Sequence, residues 1–260
     1  MKTTIHLKTL TVVSALLFYV TASTAPAEVL ISEAFDGLDT DNLNGKTPTF
    51  LDSAFTGSTW TAREGHFFQD GSLLDGSATG KAIINIGDFI NDQKGNADAI
   101  FTVSLTGEVT KNWVGAGFFD SGASVTEIGI HNTPASTLFR RDQSDNADGY
   151  STGPGVVKDN FAGTHSGEQT FGVTVDLTGW NGTDNFGFAT FTLAGIDSTP
   201  YVFTSDKDFT FVGFSTATAS NGQLSHFEFS QIPEPGTLWL VALGLTSVFF
   251  ARTVSRRQNR

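Results

Sequence analysis

The stretch from Glu28 to Gln231 predicts an all-β domain, a two-sheet antiparallel β-sandwich of the jelly-roll kind. Three observations predict it. Apolar and polar residues alternate with period two in several short runs, which is the spacing that puts one side of a strand on a core. Gly, Thr, Ser, Asn and Asp punctuate those runs about every ten residues, as turns between short strands do. No segment of this stretch has a 3.6-residue apolar period or the Ala-Leu-Glu-Lys richness of a surface helix.

Taken in order, Leu30-Ile31-Ser32-Glu33-Ala34-Phe35 opens the series, and Ala99-Ile100-Phe101-Thr102-Val103-Ser104-Leu105 is the first long strand. Trp113 to Phe119 follows, read as an apolar strand with Trp113 in the core. Phe171 to Leu177 places Phe171, Val173, Val175 and Leu177 on one face. Phe186 to Leu193 and Phe209 to Phe214 come next, and Gln223 to Ser230 closes the domain with Leu224, Phe227 and Phe229 as its apolar content.

Both chain ends fall outside this domain. Lys2 and Lys8 precede an apolar stretch, Leu10 to Val20, closed by Ala25-Pro26-Ala27. A basic start, a short apolar middle and an A-x-A end make a secretory signal peptide over 1–27. At the other end, Pro233-Glu234-Pro235 stands before an uncharged run from Gly236 to Ala251, and Arg252, Arg256, Arg257 and Arg260 follow. As a helix the run spans roughly 24 Å, a little short of a hydrocarbon core, and flanking arginines can snorkel to cover the difference. The reading is a single transmembrane helix at 236–251 with its basic end, 252–260, in the cytoplasm and everything before Pro233 outside.

This order of prolyl motif, apolar span and basic end resembles the PEP-CTERM sorting signal of bacteria that build exopolysaccharide matrices, here over 232–260. The resemblance implies export, an exosortase and secretion machinery as partners, and a place at the cell envelope, cell surface or extracellular matrix.

The chain has 27 acidic and 15 basic residues and no cysteine. Setting aside Lys2, Lys8, the four tail arginines and Glu234 leaves 26 acidic against 9 basic residues in the domain. Such a surface argues against nucleic acid or an anionic membrane as a partner, since both need basic patches. Without cysteine there is neither a disulfide nor a thiolate metal site, so core burial must hold the exported domain together.

The order Ser32-Glu33-Ala34-Phe35-Asp36, Thr59-Trp60-Thr61-Ala62, Trp113-Val114-Gly115-Ala116-Gly117-Phe118, Val173 to Trp180 and Gly222 to Phe229 is similar to that of concanavalin A-like (laminin G, lectin and glucanase) jelly rolls. That group holds lectins, adhesive modules and glycoside hydrolases, so the fold does not choose among them. A retaining glycosidase needs two carboxylates roughly 5 Å apart. The E-x-D-x-x-E strand pattern that supplies them in laminarinase-type members is absent, and Glu127 and Glu228 are isolated acids expected to face outward. His66, His131, His165 and His226 are scattered and read as surface or strand-edge residues, and no G-x-S-x-G elbow occurs.

Two weaker patterns remain. The loop containing Asp36, Asp39, Asp41 and Asn44 packs oxygen donors as calcium requires, without EF-hand spacing, and Asp and Asn also favour turns for their own sake. Trp180 in a turn, Tyr150 after an acidic loop, and Arg140 with Arg141 in an arginine-poor domain are the candidates for carbohydrate contact. The expectation is a non-catalytic exported protein that binds or organises exopolysaccharide, the alternatives being a glycoside hydrolase and a purely structural or adhesive matrix protein.

Overall fold

The computed structural model describes residues 26–233 except 38–40, 64–65, 70–71, 76–79, 111, 127–132, 141–146, 151–158, 162–164 and 218–222, and gives the backbone alone for 67–69, 72–75, 140, 147–150 and 159–160. Residues 1–25 of the signal peptide, Glu234, Pro235, the apolar run, the tail arginines, Asp39, Arg141, Glu127 and His131 lie outside the described residues. No helix among the described residues is long and apolar enough to cross a membrane. Ala27 to Ile232 forms one compact unit.

In chain order the strands are β1 (Glu28–Glu33), β2 (Phe50–Leu51), β3 (Thr61–Ala62), β4 (His66–Gln69), β5 (Ser72–Asp75), β6 (Gly80–Asn85), β7 (Ile100–Glu108), β8 (Trp113–Phe119), β9 (Ala135–Arg140), β10 (Ala147–Tyr150), β11 (Asp159–Asn160), β12 (Glu168–Asp176), β13 (Phe188–Leu193), β14 (Ile196–Asp197), β15 (Tyr201–Val202), β16 (Phe211–Thr216) and β17 (Gln223–Gln231). Short 3-10 turns at Ser53–Phe55 and Asn91–Gln93 are the helical elements among the described residues.

Every pairing is antiparallel, and the strands sort into two sheets. Sheet A runs β14-β13-β12-β7-β17-β1-β2, with β15 on β13 and the β4–β5 hairpin on β17. Sheet B runs β11-β10-β9-β8-β16-β6-β3. The first and last strands pair with each other in sheet A, Ile31 opposite Phe229. The molecule is therefore the expected two-sheet β-sandwich.

Alternation decides which side chains meet between the sheets. Phe101, Val103 and Leu105 of β7 point inward with Phe171, Val173 and Val175 of β12 and Phe227 and Phe229 of β17. Val114, Ala116 and Phe118 of β8 and Val212 and Phe214 of β16 meet them from sheet B. Trp60, 1% exposed, sits among Phe35, Phe214 and Phe227 with ring centroids 5.1–6.3 Å apart. Each such aromatic contributes about 1.5–3 kcal/mol on burial, so this core does what disulfides do in other exported domains. Thr137 Oγ1 donates to the Gly172 carbonyl across the gap and ties β9 to β12.

Trp113 departs from the sequence expectation. Val114, Ala116 and Phe118 take the inward positions of β8, so alternation turns Trp113 outward, where it is half-buried. An all-apolar run hides its parity, because both faces look like core.

Candidate functional site

The outward face of sheet B is unusual in what it lacks. Along β8 the positions facing away from the core are Trp113, Gly115, Gly117 and Phe119, and along β16 they are Phe211, Gly213 and Ser215. The register aligns them into rows. Lys81 of β6, Ser215, Gly115 and Leu138 of β9 form one row. Ile83, Gly213, Gly117 and Ser136 form the next, with Tyr150 of β10 paired to Ser136. Asn85, Phe211 and Phe119 form a third.

The glycines make the middle of this face a strip of bare backbone. A side chain is not tolerated there: a Cβ on Gly117 would run into the Ala135 carbonyl, and one on Gly213 into that of Ala82. Polar groups flank the strip. Lys81 is 0% exposed, with Nζ 5.6 Å from the Phe119 ring centroid, so the two side chains bridge β16 between them. Ser215 and Ser136 are each 2% exposed. Ser136 Oγ has no hydrogen-bond partner among the described residues. A buried hydroxyl left unpaired costs about 1–3 kcal/mol, so such a group marks a place where something is missing.

The described outward positions of β6, β8, β9 and β16 carry no Asp or Glu. The arrangement can form hydrogen bonds, pack an apolar ring against Phe119 and place one cation. The row of Lys81, Ser215, Gly115 and Leu138 continues in register to Asp148 of β10.

Of the carbohydrate candidates read from sequence, Tyr150 and Arg140 occupy register positions beside this strip, Tyr150 opposite Ser136 and Arg140 opposite Trp113. Trp180 is elsewhere. It is half-buried, donates its indole N–H to Asp206 Oδ1 at 3.0 Å, and lies 5.8 Å from Lys94 Nζ. The sequence reading missed Lys81, Ser136 and Ser215. The signal present was the Gly-x-Gly alternation of Gly115 and Gly117, which leaves one face of a strand without side chains.

Two side chains of the first Asp/Asn loop, Asp41 and Asn44, make contacts within the fold. Asp41 pairs with Lys46 at 2.6 Å, Asn44 Oδ1 accepts from the Ala62 N–H at 3.0 Å, and Asp36 is exposed. Among the described residues no group of three or more His, Asp or Glu side chains is placed to hold a metal.

Two histidines depart from the surface reading. His66 is 0% exposed, with Nδ1 3.0 Å from the Arg63 carbonyl and Nε2 3.3 Å from Thr216 Oγ1. Burial holds its pKa below the usual imidazole value, more than the Arg63 carbonyl raises it, and the Arg63 charge lowers it further. His165 is 7% exposed. A hydroxyl or a main-chain carbonyl near the ring makes burial possible, and neither is readable from a lone His in sequence. Glu228 faces outward as expected, 3.7 Å from His226. Glu33, which the sequence did not single out, is a buried acceptor: Oε1 takes the Phe35 N–H and the Thr49 hydroxyl, each at 2.9 Å, and Oε2 takes the Trp60 indole N–H at 3.2 Å.

Residues 231–257 match the PEP-CTERM protein-sorting motif. The chain thus carries that motif and is an exported protein of the cell surface or its membrane. No curated protein matches the chain. Among solved structures it is similar to a carbohydrate esterase from the Shiga toxin-encoding bacteriophage phi24B (TM-score 0.43, 12% identity, 79% of this chain and 99% of that one). It is also similar to the Emp46p carbohydrate recognition domain in its metal-free form (TM-score 0.44, 14% identity, 77% and 97%). A third is the receptor binding domain of botulinum neurotoxin type G (TM-score 0.43, 11% identity), where 78% of this chain aligns with 47% of that one, about half its length.

Proposed function

We propose that this exported surface protein is non-catalytic and binds extracellular polysaccharide on the outward face of sheet B, with an exosortase processing its tail. The observation that carries the reading is Ser136 Oγ, buried and unpaired among the described residues beside a backbone floor of Gly115, Gly117 and Gly213. A sugar hydroxyl both donates and accepts, and would satisfy that oxygen. These glycines and Phe119 are themselves buried, so a flat pyranose ring reaches the main chain, with the Phe119 ring beside it, only when the cover is displaced. The non-catalytic part of the reading is motivated by the sequence, which lacks the E-x-D-x-x-E strand pattern. Lys81 and Ser136 are covered, so the ligand must displace what covers them, and association is expected below about 10⁵ M⁻¹s⁻¹.

Titration calorimetry with matrix polysaccharide from the native host tests this. Binding should weaken about tenfold in each of Ser136→Ala and Ser215→Ala, the loss of one hydrogen bond. No binding by the unaltered protein, or unchanged affinity in both variants, would overturn the site. Release of reducing ends or of unsaturated sugar products would overturn the non-catalytic reading.

A further inference from the structure

Three asparagines of the chain are followed by glycine: Asn44, Asn181 and Asn221. Asn221 lies outside the described residues. The other two pairs stand in exposed turns, and both glycines have positive φ, 80° at Gly45 and 74° at Gly182. Asparagine before glycine can cyclise on itself, because glycine has no side chain to keep its nitrogen from the neighbouring Cγ. The fold treats the two pairs differently.

At Asn44 both reacting groups are engaged. The Gly45 N–H donates to the Trp60 carbonyl at 2.7 Å, and Asn44 Oδ1 takes the N–H of Ala62 in β3 at 3.0 Å. The N–H that would have to lose its proton is held in a main-chain bond, and the amide it would attack is fixed to another strand. At Asn181 the Gly182 N–H has no acceptor among the described residues. Asn181 Oδ1 collects donors from the residues just after it: the N–H groups of Thr183 at 3.0 Å, Asp184 at 3.2 Å and Asn185 at 3.1 Å, and the Thr183 hydroxyl at 3.1 Å. These draw charge onto the oxygen that becomes negative when a nitrogen adds to Cγ. The glycine is also fixed in place, since a Cβ at 182 would lie 3.1 Å from the Trp180 ring in a backbone conformation that other residues avoid. The turn therefore requires the residue that opens Asn181 to attack.

We infer that Asn181 is a site of spontaneous covalent modification, converting to aspartate and isoaspartate while Asn44 keeps its amide. The Gly182 nitrogen loses its proton and bonds to Asn181 Cγ. The Cγ–Nδ2 bond breaks, ammonia leaves with that proton, and a five-membered succinimide remains. Water opens the ring at either carbonyl, giving aspartate or isoaspartate, with one oxygen in place of one NH. Solvent supplies the only co-reactant, and the turn is exposed to it. The product alters the loop. Asn181 Nδ2 donates to Asp184 Oδ1 at 2.7 Å, and that bond, ahead of the one from the Thr183 hydroxyl, holds the Asp184 carboxyl below its ordinary value. After the reaction a second carboxylate faces Asp184 instead. Isoaspartate also inserts a carbon into the main chain of a turn that closes with the Asn181 N–H on the Asn185 carbonyl at 3.0 Å. None of this depends on what the outward face of sheet B binds.

Peptide mapping of the full chain tests it. One sample is held folded in warm, mildly alkaline buffer made with heavy-oxygen water, which marks each carboxyl formed during the incubation, and a second is held in concentrated urea. In urea Asn44 and Asn181 should convert at similar rates. In the folded chain Asn181 should convert several-fold faster than Asn44. Equal rates at the two positions in the folded chain would show that the fold makes no choice between them. An Asn181 that keeps its amide in the folded chain, over the time in which it converts in urea, would show that the donors on Oδ1 lock the side chain against attack. Either result overturns the inference.

Discussion

Asp208 shows how one carboxylate can hold three segments. Its oxygens accept from Asn91 Nδ2 at 3.1 Å, the Thr210 hydroxyl at 2.8 Å and the Ser121 N–H at 2.9 Å, joining the turn after β6, the loop after β8 and the entry to β16. Burial pushes its pKa up, and the hydrogen bonds from Ser121, Thr210 and Asn91 together outweigh it, bringing the value from 3.8 to about 2. A depressed carboxyl pKa contributes stability that is complete above the unfolded value and is lost as pH falls through the folded one. Comparing urea midpoints of the protein and Asp208→Asn should therefore give a difference of about 1 kcal/mol near neutrality, after allowing for solvent screening, that closes between pH 4 and pH 2. A difference that ignores pH would show that charge is irrelevant there. Glu33 poses the same question inside the core. Glu33→Gln puts an amide donor or a weaker acceptor against the Trp60 indole N–H, and should lower unfolding free energy by about 1–3 kcal/mol, read as a lower denaturant midpoint at unchanged slope.

At the level of elements, the same two-residue period produces opposite surfaces. On β7 and β12 most outward positions are Thr, Ser, Glu and Asp, joined by Ile100 and the buried Gly172, and most stay partly exposed, whereas on β8 and β16 they are Gly, Ser, Phe and Trp and several are buried. The glycines permit close approach of strands as well as of a ligand. Gly117→Ala should cost more than about 3 kcal/mol or prevent folding, because the added carbon meets the Ala135 main chain, which cannot step aside without breaking the β8–β9 ladder. Retention of normal thermal stability by Gly117→Ala would mean that the ladder is looser than its register implies. The sheet edges are closed by very short strands. β13 is flanked by β14 and β15, and between them Ser198 takes both the N–H and the carbonyl of Phe191, leaving little ladder for another chain to join.

For the whole molecule, closure of the sandwich depends on its two ends meeting. β17 lies between β7 and β1, and its last residues hold the clasp on Gln93 and Asp98 and the bond from Ile232 to Ile100. A chain ending at Ile232 should therefore melt with the full-length domain, and one ending at Phe229 should melt several degrees lower, since it loses that clasp and the Ser230 and Gln231 pairings to β1 and β7. Equal melting temperatures would show that the sorting segment begins after a frayed end and not directly on a fixed strand.

How much of this could be read from sequence varies with the kind of interaction. Strand positions and the inward sets Phe101-Val103-Leu105, Phe171-Val173-Val175 and Phe227-Phe229 were legible because alternation is a local property of the chain. The sorting motif was legible for the same reason: an apolar run and its charged end need no partner to be recognised. Where both faces of a strand are covered, as in Trp113 to Phe119, alternation gives no sign and Trp113 was assigned to the wrong side. The buried state of His66 and Glu33 depends on Arg63, Thr216, Thr49 and Trp60, and the glycine strip becomes a candidate site only when Lys81, Ser215 and Ser136 arrive from three other strands. The sequence by itself determined the address and the β-class of this protein, because both are written in runs of neighbouring residues. The tertiary structure alone decided which polar groups are buried together and at which end of the sandwich the last strand finishes, because those follow from register between strands far apart in the chain.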